Sequence, residues 1–293
     1  MLEVTTLRSC WQQLIHQIQR WIYRMLQIAG VQKFMRVGYA AKGMLYGLFG
    51  LFALHDLIYD QDVVNGSQGV LASLGNHYLG SILLGPLAVG LMGYVLWRFV
   101  QASLDPGHRG SLSSRRVLQR CGYAVSGFTY LGLGYTAGKL ALGLAVDLDD
   151  TIDDVATVLF ERTVGPLVLA TLGCCIVAIG LTYIYGAVSE SYINPFRKEL
   201  YSLAKRWVII FAKIGLTARG IGFVLIGAYL IKAAYLVDDE SAGGLGHVFD
   251  QLDDQPWGEL WLGTIALGFI AYAGYMVVAA FYRKFPSFSP KRP

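Results

Sequence analysis

Charge is scarce in this sequence. Only 15% of its 293 residues are charged, against about 25% in soluble globular domains, and no acid falls at the middle depth of any long apolar run. That absence removes the intramembrane carboxylates on which proton relays depend. Cysteine is rarer still, with four in all. Cys10 and Cys121 lie on stretches read below as cytoplasmic, while the adjacent Cys174 and Cys175 sit inside an apolar run. This is no disulfide framework, and the pair at 174–175 is expected to serve as small buried residues. His55, His77 and His247 match no zinc spacing. Nucleophile arrangements built on serine, cysteine or carboxylate are missing, and no glycine loop follows a strand as a nucleotide fingerprint requires. The expectation is a protein that is not an enzyme, with no cofactor and no metal.

Apolar residues are what the chain has in excess. They make up 55% of it, aromatics 13%, and the mean hydropathy is +0.47. A helix needs about 20 largely apolar residues to span a bilayer, because every backbone N–H and C=O must be satisfied inside the segment. Six stretches qualify, at 37–58, 79–102, 121–144, 163–188, 211–236 and 258–282. None alternates with period two, which argues against a membrane barrel. Residues 1–30 lack the uninterrupted apolar core of a cleavable signal peptide. Trp11, Leu14, Ile15, Ile18, Ile22, Met25 and Leu26 recur there at helical spacing opposite Gln and Arg side chains. Residues 1–32 therefore read as an amphipathic arm in the cytoplasmic interface, with a helix docked on a protein partner as the alternative.

Nineteen of the 24 Lys and Arg residues fall before the first run, between the second and third, between the fourth and fifth, or after the sixth. Sixteen of the 20 acids fall in the other three loops. By the positive-inside rule both termini are cytoplasmic. Anionic lipid accounts for the basic loops, so the expected partners are the bilayer and other membrane proteins, and not nucleic acid.

One unit is used three times. RVGYAAKGMLY from Arg36 recurs as RCGYAVSGFTY from Arg120 and as KIGLTARGIGF from Lys213, and such repetition sets the architecture. Each copy holds a cation, a glycine two residues on, a second glycine five residues later, and then an aromatic: Tyr46, Tyr130 or Phe223. The expected fold is an all-α membrane protein whose six transmembrane helices form three parallel tandem hairpins in pseudo-threefold arrangement. The units are 33–106, 117–190 and 211–284, with a tail at 285–293. Each also carries a short amphipathic element expected to lie in the outer interface: Val70, Leu71, Leu74 and Tyr78; Ile152, Val155, Ala156 and Leu159; Leu245, Val248, Phe249 and Leu252. The motif glycines Gly38, Gly43, Gly122, Gly127, Gly215 and Gly220 are expected to let helix backbones approach. Gly47, Gly134, Gly138, Gly222 and Gly227 are further small positions on the same runs.

These segments resemble the bacterial membrane family of domain of unknown function 1206. The resemblance is carried by GYAAKGMLY (38–46), GLMGYVLWRFVQASLDP (90–106), GYAVSGFTYLGLGYTA (122–137), LTARGIGFVLIGAYLIKAAY (216–235) and LGFIAYAGYMVVAAFYR (267–283). It implies six helices in three pairs, and brings no catalytic residue with it. A multi-pass protein of the bacterial cytoplasmic membrane is the location expected.

The seventh motif residues are Lys42, Ser126 and Arg219. If the repeats close around an axis, these three face one another as a partial cationic ring able to bind an anion. The alternative is snorkelling, since six residues of helix rise only about 9 Å and a long stem can carry its charge back to the headgroups. Arg98, Gln101 and Asp105, next to Trp97, share a helix face and are expected to form a clamp before Pro106. The acidic run at Asp147, Asp149, Asp150, Asp153 and Asp154 fails the calcium-loop pattern, because Ile152 and Val158 stand where glycine and glutamate belong. Two functions remain: a small-solute or anion transporter or channel, and a non-catalytic scaffold or accessory subunit.

Overall fold

The computed structural model describes residues 24–25, 28–59, 66–75, 80–104, 114–144, 164–190, 202–236 and 257–283, with the single residues Gln17, Val146 and Phe285. They form seven helices: α1 Ala29–Tyr59, α2 Gly66–Gly75, α3 Gly80–Leu104, α4 Ser114–Ala141, α5 Gly165–Ser189, α6 Ser202–Leu236 and α7 Gly258–Tyr282. Five of these, α1, α3, α5, α6 and α7, are long and apolar enough to cross a bilayer, and they mark a membrane protein. The sixth expected span is α4. At 28 residues it is about 42 Å long, but its tyrosines, its glycines and the basic residues of its first turns dilute its hydropathy. The helices at the three motifs begin at Ala29, Ser114 and Ser202, well before the expected spans at 37, 121 and 211. The boundary expected between arm and first repeat therefore falls inside α1; the arm itself lies outside the described residues.

The packing order is α4, α3, α1, α7, α6, α5. Hairpins α1–α3 and α6–α7 are each closed within their own repeat. In contrast, α4 and α5 are the two ends of the series and make no extended contact with each other. Three seams join neighbouring repeats: α7 to α1, α3 to α4, and α5 to α6.

Each seam is built on two glycines seven residues apart: Gly43 and Gly50, Gly127 and Gly134, Gly220 and Gly227. Two helical turns separate such residues, so both stay on one stripe of a left-handed crossing. A Cβ on Gly220 would stand 2.8 Å from the Gly180 carbonyl, and one on Gly227 would stand 2.6 Å from that of Gly173. Against α7, Gly43 meets Ala273 and Gly50 meets Ala266; against α3, Gly127 meets Phe99 and Gly134 meets Met92. Gly50 carries the same role as Gly134 and Gly227, although it is not among the small positions expected from sequence.

The first motif cation closes each seam at its end. Arg36 donates to the Ala280, Phe281 and Arg283 carbonyls at the end of α7. Arg120 donates to those of Ala102 and Ser103 at the end of α3. Lys213 instead pairs with Glu190 at the end of α5, at 2.7 Å. Helix C-termini leave carbonyls unpaired and carry partial negative charge, so a cation is favoured there.

The first motif glycine has a different task, and here the expectation divides. A Cβ on Gly38 would overlap the backbone of Gly93 and Tyr94, and one on Gly215 would overlap that of Tyr272. These glycines let each outer hairpin close on itself. Gly122 does not pack as expected: a Cβ there would meet nothing within 4 Å, because α5 does not lie against α4. Val70, Leu71 and Leu74 of α2 turn the expected apolar face onto the bundle, where they are buried, while Tyr78 and the matching elements of the other repeats lie outside the described residues. One more expectation is corrected. Cys174 and Cys175 are exposed, because only the α6-facing stripe of α5 is covered.

Candidate functional site

Lys42 and Arg219 do not snorkel. Lys42 is 0% exposed and Arg219 6% exposed. Both lie on motif helices whose apolar register turns the seventh residue toward the neighbouring repeats. Lys42 Nζ donates to the Tyr94 hydroxyl at 2.7 Å. It stands 4.4 Å from the Tyr94 ring centroid, 4.7 Å from Tyr130, 5.5 Å from Tyr272 and 5.9 Å from Tyr46. Arg219 donates to the hydroxyls of Tyr46, Tyr130 and Tyr272. Its guanidinium carbon stands 4.9–5.2 Å from the rings of Tyr46, Tyr183, Phe223 and Tyr272. The two cations thus share one aromatic cage, with Tyr46, Tyr130 and Tyr272 common to both.

Six helices each lend the cage one aromatic, in pairs that cross the three seams. Tyr46 of α1 meets Tyr272 of α7 edge-on at 4.9 Å. Tyr130 of α4 meets Tyr94 of α3 edge-on at 4.8 Å. Phe223 of α6 stacks on Tyr183 of α5 at 5.6 Å. The eleventh motif residue supplies one ring of every pair. Edge-to-face pairing turns the negative ring faces toward other partners, and here those partners are the cations.

Arg98 is a third cation at the site. Its guanidinium lies 4.9 Å from the Tyr94 ring and 5.2 Å from the Tyr123 ring, and it donates to Gln101 at 3.1 Å. Arg98 and Gln101 share the expected helix face and that hydrogen bond, while Asp105, the acid of the expected clamp, lies outside the described residues. Ser126 is the third expected ring member, one turn below Tyr130 on α4. Its buried Oγ has no hydrogen-bond partner among the described residues, so it belongs to the same helix face without joining the cage contacts.

No carboxylate among the described residues contacts Lys42 or Arg219. A buried charge is ordinarily paired, because desolvation costs several kcal/mol per ion. Tyrosine oxygens that accept from these cations still carry a proton to donate, and one such proton is shared between the Tyr46 and Tyr130 hydroxyls, 3.1 Å apart. The arrangement is therefore a positively charged cage lined by hydroxyls, chemistry that suits an anion, and the described residues offer no set of metal ligands.

The family described as Domain of Unknown Function (DUF1206) matches residues 37–105, 121–190 and 214–283. The chain belongs to this family. Each match covers one repeat, from its motif to the end of its second long helix, so the three DUF1206 units supply the three aromatic pairs. The chain is also similar to the Uncharacterized protein YxxB of Bacillus subtilis (strain 168), 26% identical over 258 residues that cover 86% of this chain and 91% of that one. No solved structure matches.

Sequence reasoning missed the tyrosines. Tyr46 and Tyr130 were visible as motif aromatics, but nothing local marks them as hydrogen-bond acceptors for a cation 89 to 173 residues away. Tyr94 and Tyr272 were visible in GLMGYVLW (90–97) and GFIAYAGY (268–275), segments that match between the first and third repeats. Their pairing with the seventh motif position is the signal that, once the repeats were aligned, could have exposed the cage.

Proposed function

We propose that this protein binds a small anion in the tyrosine cage between Lys42 and Arg219, and that it serves as a transporter or channel for such an anion. One observation carries the reading: two cations buried from solvent, close enough to share three tyrosines, with no carboxylate among the described residues to neutralise them. Two like charges in a low-dielectric interior repel strongly, and an anion between them would turn that repulsion into attraction. The reading includes three repeats disposed about a pseudo-threefold axis, supported by the three equivalent seams. It also includes a non-catalytic protein of the bacterial cytoplasmic membrane with both termini on the cytoplasmic side, supported by the basic loops.

The test is ligand-dependent stabilisation of the purified protein in nanodiscs, with chloride, nitrate, acetate and phosphate as probes, followed by anion flux in proteoliposomes. A ligand that binds only the folded state raises the melting temperature with concentration. Saturable stabilisation is expected, lost in Lys42→Met and in Arg219→Met. Indifference of the wild-type protein to all four anions, in binding and in flux, would sink the reading. The scaffold reading has one observation in its favour, the uncovered stripe of α4 beside Gly122.

A further inference from the structure

The outer hairpins show what the middle one lacks. Ala41 and Ala218, five residues into their motifs, are each 7% exposed, and they press on Gly90 and Gly268 of the partner helix. Their counterpart on α4, Val125, is 60% exposed. Seam contacts explain the difference. Gly227 and Gly220 meet Gly173 and Gly180 just as Gly50 and Gly43 meet Ala266 and Ala273, which puts Ile179 of α5 where Tyr272 stands in α7. In the outer repeats a cation and a tyrosine join the hairpin, Lys42 to Tyr94 and Arg219 to Tyr272. In the middle repeat the same positions hold Ser126 and Ile179, which cannot make that bond. Tyr183, one turn further along α5, reaches the cage instead and remains only half-buried.

We propose that this open face between α4 and α5 is a lateral portal, through which an amphiphilic anion slides its headgroup from the bilayer into the cage while its alkyl tail stays between the two helices. The proposal rests on the anion-cage reading and names its substrate class: one anionic headgroup on a hydrocarbon tail. Three features point the same way. Apolar side chains flank the opening, with Val125 of α4 and Leu172 of α5 exposed where their counterparts Ala41, Ala218, Leu87 and Ile265 are buried, so it faces acyl chains and not water. Polar groups then lead inward, from the unpartnered Ser126 Oγ to Tyr130 and Tyr183, and both tyrosines touch Arg219. Finally, the charge is complementary, since Arg219 is nine-tenths buried and its Nε has no hydrogen-bond partner among the described residues. A free inorganic anion would shed its hydration to enter from this side. A lipid-like anion keeps its tail in hydrocarbon throughout and only its headgroup changes surroundings.

The experiment uses the full chain in zwitterionic nanodiscs, with a hexadecanoic acid carrying a photoreactive diazirine in its tail as the probe and acetate as its tail-less counterpart. Adducts mapped by mass spectrometry are expected to concentrate on residues 122–131 of α4 and 172–183 of α5. Labelling should fall about tenfold or more in Arg219→Met, the loss of one hydrogen bond to a charged group. It should fall similarly in Val125→Trp, which fills the opening from an exposed position, and stay unchanged in Val89→Trp, an equally exposed site on α3. Acetate should still stabilise Val125→Trp. Adducts spread over all lipid-facing helices, or labelling indifferent to Val125→Trp, would overturn the portal while acetate binding leaves the cage standing. Failure of both probes to bind would overturn the two together, and adducts competed only by acetate, with no tail position enriched, would assign the cage to soluble anions.

Discussion

The first and third hairpins and the middle hairpin start from the same eleven-residue motif and end in different structures. In the outer two, the first motif glycine lies against a helix backbone and the seventh residue bonds a tyrosine of the same repeat. In the middle one, a Cβ on that glycine would meet nothing within 4 Å and the seventh residue is a serine without a hydrogen-bond partner among the described residues. All three seams between repeats, by contrast, are closed by the same pair of glycines seven residues apart. A small residue permits close approach but does not compel it. In the outer hairpins that approach comes with a polar bond between cation and tyrosine, and a buried bond of that kind is expensive to leave unmade.

The most damaging way to probe this difference is bulk at the first glycine. Gly38→Leu would drive a side chain into the backbone of α3 and should destabilise the protein by about 3 kcal/mol or more. Gly122→Leu should shift stability by no more than about 0.5 kcal/mol. Thermal unfolding of both variants in the same detergent makes the comparison; equal losses would mean that the middle hairpin is closed after all.

Next comes the polar bond itself. Tyr94→Phe leaves the Lys42 ammonium buried without its acceptor and should cost about 1.5–3 kcal/mol. Adding Lys42→Met should restore most of that stability, since a buried charge replaced by an apolar group of similar volume is often neutral or stabilising. A double variant no more stable than Tyr94→Phe would show that the ring's packing, and not the charge, sets the value of Tyr94.

A smaller effect should follow from repairing the middle repeat. Ile179→Tyr offers Ser126 a hydroxyl, for a gain of about 1 kcal/mol, and should draw α4 toward α5. Oxidative cross-linking between Val125→Cys and the native Cys175 reports the approach, because their counterparts Ala41 and Gly90 are in contact. Cross-linking unchanged by Ile179→Tyr would separate hairpin closure from the tyrosine. The weakest change is expected at the seam ends. Arg36→Ala, which frees three carbonyls at a helix terminus, should cost about 0.5–1 kcal/mol. Lys213→Ala removes only a half-exposed ion pair and should have no measurable effect in high salt; unfolding curves at two ionic strengths distinguish the two seams.

Much of the architecture could be read from residue order. The long helices, the three units and the motif glycines depend on local hydropathy and on repetition, and they appear where expected, apart from the hydropathy of α4, the starts of α1, α4 and α6, and Gly122, which no helix packs against. The candidate ring was half legible. Lys42 and Arg219 were named from their equivalent positions, but whether a long side chain snorkels or turns inward depends on which helix lies against its face. The tyrosines were not legible as a site, because their partners sit on other helices, dozens to hundreds of residues away.

By itself, then, the sequence of this protein determined a membrane-embedded set of helices in three related units, because helix formation in an apolar segment is compelled by its own backbone hydrogen bonds. Tertiary structure alone decided that the two cations are enclosed by tyrosines, that each seam closes at glycines seven apart, and that one hairpin of the three stands open. Those outcomes turn on side chains meeting across helices, where a single bond between Lys42 and Tyr94 is present in one repeat and its counterpart, Ser126 opposite Ile179, cannot form in the next.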